Sequence, residues 1–468
     1  MHKEETTPEM LSRQERAVVV AAAGCGKTHL IAETVKYTFG RQLILTHTHA
    51  GVHSIRNKLT KLGIKATNYR VETIAGFALR YASAYPVTCG FQIFNEDESV
   101  LYENLYNAAY NVINNQSGRR IISVSYSGLF VDEYQDCTQE QHKLILLLSE
   151  IIPTRILGDE LQGIFDFAGE IVDWDRDVFP VFTKLPNLST PWRWKLANKY
   201  MGIWIKELRE KIIAKEPICL SDLPNNTTWH KKEWSEQITQ LLYKSNGTTV
   251  GIIDIDNKEH KIANYLKGYY NSMEEIERRT LFVFLKKFEQ GTRKEKILEL
   301  FGISTRCMTK VGSEFKTIIN CVENNRKFRG NKHQILFNNI ETYIQTGHII
   351  LINEILKYIG TIEGVKIYRK ELWSDINKLF SSYALNPNER LVSLAHKQIE
   401  MYSVKGCRQI YYKTISRPFL IKGLEFNHAI LLDADALKPK ELYVALTRGS
   451  NYLTILSEEP VLRPKYYR

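Results

Sequence analysis

Ala17-Val18-Val19-Val20-Ala21-Ala22-Ala23-Gly24-Cys25-Gly26-Lys27-Thr28 decides the reading of this chain. Its first half is apolar, with no polar residue alternating in. Such a run reads as a strand buried on both faces, the kind parallel sheets use. It passes into a glycine turn and then a helix-like stretch from Lys27 to about Phe39. A second apolar run, Gln42 to Thr46, follows. Strand, turn, helix, strand is a βαβ unit, so the fold class is α/β with parallel sheets flanked by helices.

The turn itself carries chemistry. Ala21 to Thr28 fits the spacing G-x-x-x-x-G-K-[ST], with Ala21 in place of the first glycine. Glycines let backbone N–H groups turn inward around phosphate oxygens, and the helix that follows offers its N-terminus to the same anion. Gly24, Cys25, Gly26, Lys27 and Thr28 are therefore expected to hold a nucleoside triphosphate. Lys27 supplies a point charge to the β- and γ-phosphates, and the Thr28 hydroxyl reaches Mg²⁺.

The matching acids stand at Phe130-Val131-Asp132-Glu133-Tyr134-Gln135-Asp136. An apolar strand ending in two adjacent acids places one toward the metal and the other toward the attacking water. Asp132 is expected to hold Mg²⁺ through its water shell, and Glu133 to polarise the water as a general base. Gln162, in Gly158-Asp159-Glu160-Leu161-Gln162, follows another strand and is a candidate to sense the γ-phosphate or orient water.

Working outward, strands are expected at 129–132 and 155–158, with a helix from about Thr138 to Ile151 between them. A second α/β region starts at Thr248–Asp254, and strand-like runs return at 409–415, 428–433 and 452–456. Between 266 and 385 the chain is lysine-rich, with apolar residues at helical spacing in FLKKFEQ, RKEKILELF and ILINEILKYI. The expected division is a first domain at 1–195, carrying a short insertion at about 85–120. A second is built from 196–265 plus 386–468, and a helical insertion spans 266–385.

Composition bounds the function. The 468 residues include 63 Lys plus Arg and 52 Asp plus Glu, a net charge of +11, which favours a polyanionic partner. Hydrophobic residues at 44% and charged residues at 25% are ordinary for a globular protein and argue against a disordered or fibrous chain. The seven cysteines are odd in number, scattered and without a CxxC pair, which argues against a disulfide framework and a zinc or iron–sulfur site. No apolar stretch reaches the ~18 residues of a membrane span, and the N-terminal segment lacks a signal-peptide core. A cytoplasmic protein with no membrane partner is expected.

The order of motifs resembles the UvrD/Rep-like superfamily 1 DNA helicases. DEYQD at 132–136, KGLEF at 422–426 and YVALTR at 443–448 carry the resemblance most specifically. Thr46-His47-Thr48-His49-Ala50 is similar to the family's TFTNKAA segment, Thr73–Phe77 to its TFHG segment, and Trp192-Arg193 to its NYR motif. The resemblance implies two RecA-like P-loop domains that clamp ATP and Mg²⁺ and walk along single-stranded DNA, 3′→5′, with or without duplex junctions in the substrate.

It also implies site residues. Arg193 and Arg448 would reach the γ-phosphate from distant parts of the chain. Trp192 would stack on the base, with His29 and Gln14 beside it. Gly423 and Glu425 would join the nucleotide site. Thr46, His47, Thr48 and His49 would line the DNA channel, and Phe165 and Phe167 would stack on bases. Several departures lie on the DNA side: Ala75 for a usual His, Ala168 for a usual Arg, and Ser416–Ile421 for TxHSA. Whether duplexes are unwound stays open at this point. The alternative reading is a DNA-sensing regulatory subunit that partners a nuclease in bacterial anti-phage defence, as small UvrD-like proteins do in Gabija systems.

Overall fold

The computed structural model describes residues 4–85, 87, 98–164, 170–233, 236–245, 247–255, 258–274, 279–387, 389–395, 398 and 411–464. The first stretch of chain holds α1 (Pro8–Ser12), β1 (Arg16–Val20), α2 (Lys27–Thr34), β2 (Gln42–Thr46), α3 (His49–Lys61), β3 (Tyr69–Thr73) and α4 (Ile74–Ala84). Then come α5 (Glu98–Ile113), α6 (Gln116–Ser125), β4 (Gly128–Val131), α7 (Gln139–Ser149), β5 (Thr154–Gly158), β6 (Thr183–Lys184) and α8 (Lys199–Ile213). They are followed by β7 (Ile218–Cys219), β8 (Thr227–Lys231), α9 (Glu236–Tyr243), β9 (Thr249–Ile252), α10 (Lys258–Tyr265) and β10 (Asn271–Ser272). A run of helices comes next: α11 (Arg279–Gln290), α12 (Arg293–Cys307), α13 (Val311–Glu314), α14 (Lys316–Glu323), α15 (Gln334–Thr346), α16 (Ile350–Thr361) and α17 (Lys370–Leu385). The chain closes with β11 (Lys413–Ser416), β12 (Phe426–Leu431), α18 (Pro439–Leu446), β13 (Gly449–Ser457) and β14 (Val461–Leu462).

The fold is α/β, with two six-stranded sheets flanked by helices, the arrangement expected of two RecA-like domains. In the first sheet the order is β3-β2-β4-β5-β1-β6, and every neighbouring pair is parallel. Parallel strands all end at one edge, so the loops after β2, β4, β5 and β1 emerge side by side. Those loops carry His47, Asp132, Gln162 and the glycine turn. The topology alone therefore gathers motifs spread over more than a hundred residues of sequence.

Among the described residues the chain divides into two compact units, one of residues 4–232 and 421–464 and the other of 233–398 and 411–420. In the first unit, alternate residues of the sheet face two different cores. Val18, Val20, Leu43, Leu45, Leu129 and Val131 enter one, while Ala17, Val19, Ile44 and Phe130 enter the other. Burial on both faces explains why β1 shows no polar alternation. The helices of the short insertion, α5 and α6, join the first core through Leu105, Ala109, Val112, Ile113 and Ile122. This unit also holds β8, β13 and β12, paired parallel in that order, and the antiparallel pair β7–β14.

The second unit is mostly helical. Its core runs from Leu281 to Ala395 and is built from α11 to α17 together with Leu391 and Ala395 beyond them, with Phe284, Phe288 and Phe380 in mutual ring contact. Its strands β9, β11 and β10 pair parallel in that order. The expected strand at 409–415 appears as Lys413–Ser416, and residues 409 and 410 lie outside the described residues.

Two further differences from the sequence reading have local causes. The helix after the turn ends at Thr34 rather than near Phe39, and a 3₁₀ turn, Val35–Tyr37, follows. Thr34 Oγ1 bonds back to Leu30 O at 2.7 Å, and β-branched Thr34 and Val35 weaken the last turn. Strands β3 and β8 lack an apolar run because both are half-buried; β3 reads Tyr-Arg-Val-Glu-Thr with only Val71 and Thr73 buried.

Candidate nucleotide site

The chain leaves β1 with Ala21 N donating to Gly158 O at 2.9 Å, so the turn starts pinned to the end of β5. Gly24 (φ +71°) and Gly26 (φ +88°) both occupy the left-handed region, where a side chain is strained. A Cβ on Gly24 would also lie 2.7 Å from Trp194 Cζ3. Ala21, where the motif usually has glycine, is not among the positive-φ residues, so its backbone conformation does not call for glycine. Gly26 caps α2 without a side-chain hydrogen bond, which leaves the first-turn N–H groups available to an anion. Lys27, only 7% exposed, points back over the turn and donates to Ala21 O at 3.0 Å.

Behind the turn, Thr28 Oγ1 donates to Asp132 Oδ2 at 3.0 Å. Asp132 Oδ1 accepts from Glu133 N at 2.9 Å. These hard oxygens fit Mg²⁺, and among the described residues no three His, Cys, Asp or Glu gather to hold a metal alone. A cation here would share phosphate oxygens and waters, as Mg²⁺ does in such sites. Glu133 itself has φ +56°, a strained conformation for a residue with a side chain. Gln135 fixes it, donating to Glu133 Oε2 at 2.6 Å while accepting from Asp159 N at 2.9 Å.

The two acids are pushed in opposite directions. Burial and the adjacent Glu133 charge raise Asp132. Burial would also raise Glu133, but Lys27, Lys422, the Gln135 hydrogen bond and Arg448 outweigh it and hold Glu133 below its usual range. Of the two carboxyls, Glu133, the residue expected to act as base, is the one held lower. Burial pushes Asp136 up to about 7 despite its ion pair with Lys422.

Gln162 sits just beyond β5 and is buried, its amide donating to Asp159 Oδ2 at 3.0 Å. Asp159 also accepts from Arg209 of α8 at 3.0 Å. Lys422 Nζ donates to both Asp136 Oδ2 and the Gln162 carbonyl. Arg193 N donates to Gly24 O at 3.1 Å, and its guanidinium bonds Glu425 Oε2 at 2.8 Å and Thr447 O at 2.6 Å. Arg448 is 1% exposed, and its donors go to Val444 O, Leu424 O and Thr447 Oγ1. Both arginines stand at one cluster beside the turn, each satisfied by protein acceptors. Gly423, with φ +78° and open space around it, completes the bend that brings Glu425 to Arg193.

On the expected base side, Trp192 is 54% exposed and stands over Gly26, whose Cβ would lie 3.4 Å from Trp192 Cδ1. Lys195 Nζ is 4.0 Å from the Trp192 ring centroid. His29 projects from α2 half-exposed, 4.0 Å from Glu33. Gln14 does not join them. It precedes β1, whose five residues separate it from the turn, and its amide donates to Met10 O at 3.4 Å. Closeness in sequence suggested otherwise, but a strand carries the chain from one edge of the sheet to the other.

The expected DNA-contacting residues after β2 turn largely to internal partners. Thr46 is buried, and Thr48 caps α3 by accepting from Gly51 N at 3.1 Å. His47 Nε2 lies 3.5 Å from Cys137 Sγ, and burial, then Lys422, lowers it to about 3, so the ring is neutral. The His49 side chain, Phe165 and Phe167 lie outside the described residues.

Several contributors escaped the sequence reading: Gln135, Asp136, Asp159, Arg209, Lys422 and Tyr443. Tyr443 Oη accepts from Ala23 N at 3.2 Å and so touches the turn directly. Asp136, Lys422 and Tyr443 stand inside the quoted motifs, so a signal was present; Gln135 and Asp159 likewise. Arg209, on an ordinary amphipathic helix, gives none.

Residues 4–168, about a third of the chain, match a family model described as an AAA domain. A search of curated proteins returns no match. Among solved structures, the Arterivirus nonstructural protein 10 (helicase) in complex with DNA is similar at 13% identity and TM-score 0.28, covering 52% of this chain and 49% of that one. The PRRSV helicase is similar at 14% identity and TM-score 0.28, covering 57% of this chain and 46% of that one. The chain thus spans about half the length of these structures. The parallel sheet, the glycine turn and the acid pair behind it are those of a P-loop nucleotide-binding domain, in keeping with the AAA model over residues 4–168.

Proposed function

We propose that this chain is a DNA-dependent ATPase of the UvrD/Rep-like superfamily 1 type that moves along single-stranded DNA, 3′→5′. The observation that carries the reading is the 3.0 Å contact between Thr28 and Asp132 behind a glycine turn that requires both glycines. Mg²⁺-bound ATP would supply the anhydride whose cleavage is coupled to motion. In the chain itself, Lys27 is free to exchange Ala21 O for phosphate oxygens. Thr28 and Asp132 are the residues that would hold the cation. Glu133, fixed by Gln135, would accept the proton of the attacking water. Arg193 and Arg448 exchange protein acceptors for the γ-phosphate, which ties the state of the turn to α18. Trp192 stacks on the base beside His29. Phe165, Phe167 and His49 would contribute DNA contacts.

The test is steady-state ATPase with and without a ~20-nucleotide single strand. Several-fold stimulation supports the reading; an unchanged rate, with no binding of the strand at low salt, sinks it.

A further inference from the structure

The segment Arg326-Lys327-Phe328-Arg329-Gly330-Asn331-Lys332-His333 joins α14 to α15 in the helical unit. It holds four Arg or Lys and no acid, and all four cations are exposed. Among the described residues no carboxylate pairs with Arg326, Lys327 or Arg329; Lys332 contacts Glu314, which also faces His333 Nε2 at 3.0 Å. Glu323, at the end of α14, is the other acid flanking the segment.

The loop is nonetheless built. The Phe328 ring packs 5.3 Å from that of Phe337. Gly330 lies directly on it, since a Cβ there would stand 2.6 Å from Phe328 Cζ. Arg326 N donates to Cys321 O at 2.8 Å, and His333 Nδ1 lies 3.0 Å from Tyr358 Oη. One ring is turned inward and four cationic heads outward. Their charge does not serve the helix: cations just before α15 face the positive end of its dipole, where acids would stabilise. The segments 233–405 and 409–420 hold 28 Lys plus Arg against 20 Asp plus Glu, so this unit carries +8 of the chain's +11.

We propose that this loop is a second nucleic-acid contact, in which Arg326, Lys327, Arg329 and Lys332 bind successive backbone phosphates without reading bases. It rests on the DNA-dependent reading above and adds a site remote in sequence from the nucleotide motifs. Pinning by Phe328 lowers the entropy lost when the side chains engage a polyanion.

The experiment uses the full chain and a labelled ~20-nucleotide single strand, titrated over a salt series. The loop variant is Arg326→Gln, Lys327→Gln, Arg329→Gln and Lys332→Gln. A control variant removes the same charge at exposed positions elsewhere in the unit: Lys261→Gln, Lys286→Gln, Lys357→Gln and Lys366→Gln. The loop variant should lose about 0.7 of log–log salt slope for each phosphate contact removed. The control should keep the wild-type slope, and both should keep the DNA-free ATPase rate and melting temperature. A wild-type slope in the loop variant overturns the inference, as does equal loss in both variants. If the wild type itself binds no DNA, the DNA-dependent reading falls with it; if the wild type binds and the loop variant keeps the wild-type slope, the loop inference alone is lost.

Discussion

Tyr443 Oη accepts a hydrogen bond from Ala23 N at 3.2 Å, across 420 residues of sequence. The tyrosine is fully buried, and its ring belongs to α18, the helix that leads directly into Thr447 and Arg448. The glycine turn is therefore held from the far end of the chain. Tyr443→Phe keeps the packing and leaves a buried N–H without its acceptor, which costs about 1–3 kcal/mol. Urea unfolding checks this; a variant as stable as wild type would mean the contact does not hold the turn.

Lys27→Ala should abolish ATP hydrolysis by deleting the only cation that points over the turn from its own helix. Glu133→Gln should keep nucleotide binding and stop turnover, since shape stays and the base is lost. Fluorescent-nucleotide binding beside steady-state ATPase separates the two. Normal turnover in either variant would overturn the assignment.

Trp192→Ala should raise the KM for ATP several-fold with little loss of stability, because the ring is more than half exposed. Trp192→Phe should restore most of the affinity. An unchanged KM in the alanine variant would remove Trp192 from the base site.

The Asp136–Lys422 pair is buried, and among the described residues Asp136 Oδ1 has no hydrogen-bond partner. Lys422→Ala leaves that carboxyl buried without its cation and should cost about 3–5 kcal/mol. Lys422→Met combined with Asp136→Leu should be less damaging than Lys422→Ala alone. A double-mutant cycle by chemical denaturation measures the coupling, and simple additivity would show there is none.

His260 in the helical unit is lowered to about 3 by burial and then by Arg369 and Arg417. The unfolded ring titrates near 6.5, so between these values the unfolded state binds the extra proton. Stability from this residue is full above pH ~6.5 and is lost as the pH falls toward 3, on the order of 1–2 kcal/mol by pH 5. His260→Asn should flatten that slope in unfolding measurements at pH 7 and pH 5. An equally steep slope in the variant would place the effect elsewhere.

What the sequence by itself determined is local. The run Ala17–Val20, the glycines at 24 and 26 and the acid pair at 132–133 each state their role over a few residues, because backbone conformation, burial on two faces and charge at a strand end are short-range properties. Half-buried strands such as Tyr69–Thr73 were silent, since mixed polarity matches no single period. Only the tertiary structure decided which distant groups meet. The strand order β4-β5-β1 sets Asp132, Gln162 and the turn side by side, and it leaves Gln14 at the other edge although it is near the turn in sequence. It also decided that Lys422 spends its charge on Asp136 and that His47 turns toward Cys137, because a buried charge or ring takes whichever partner the fold brings within reach.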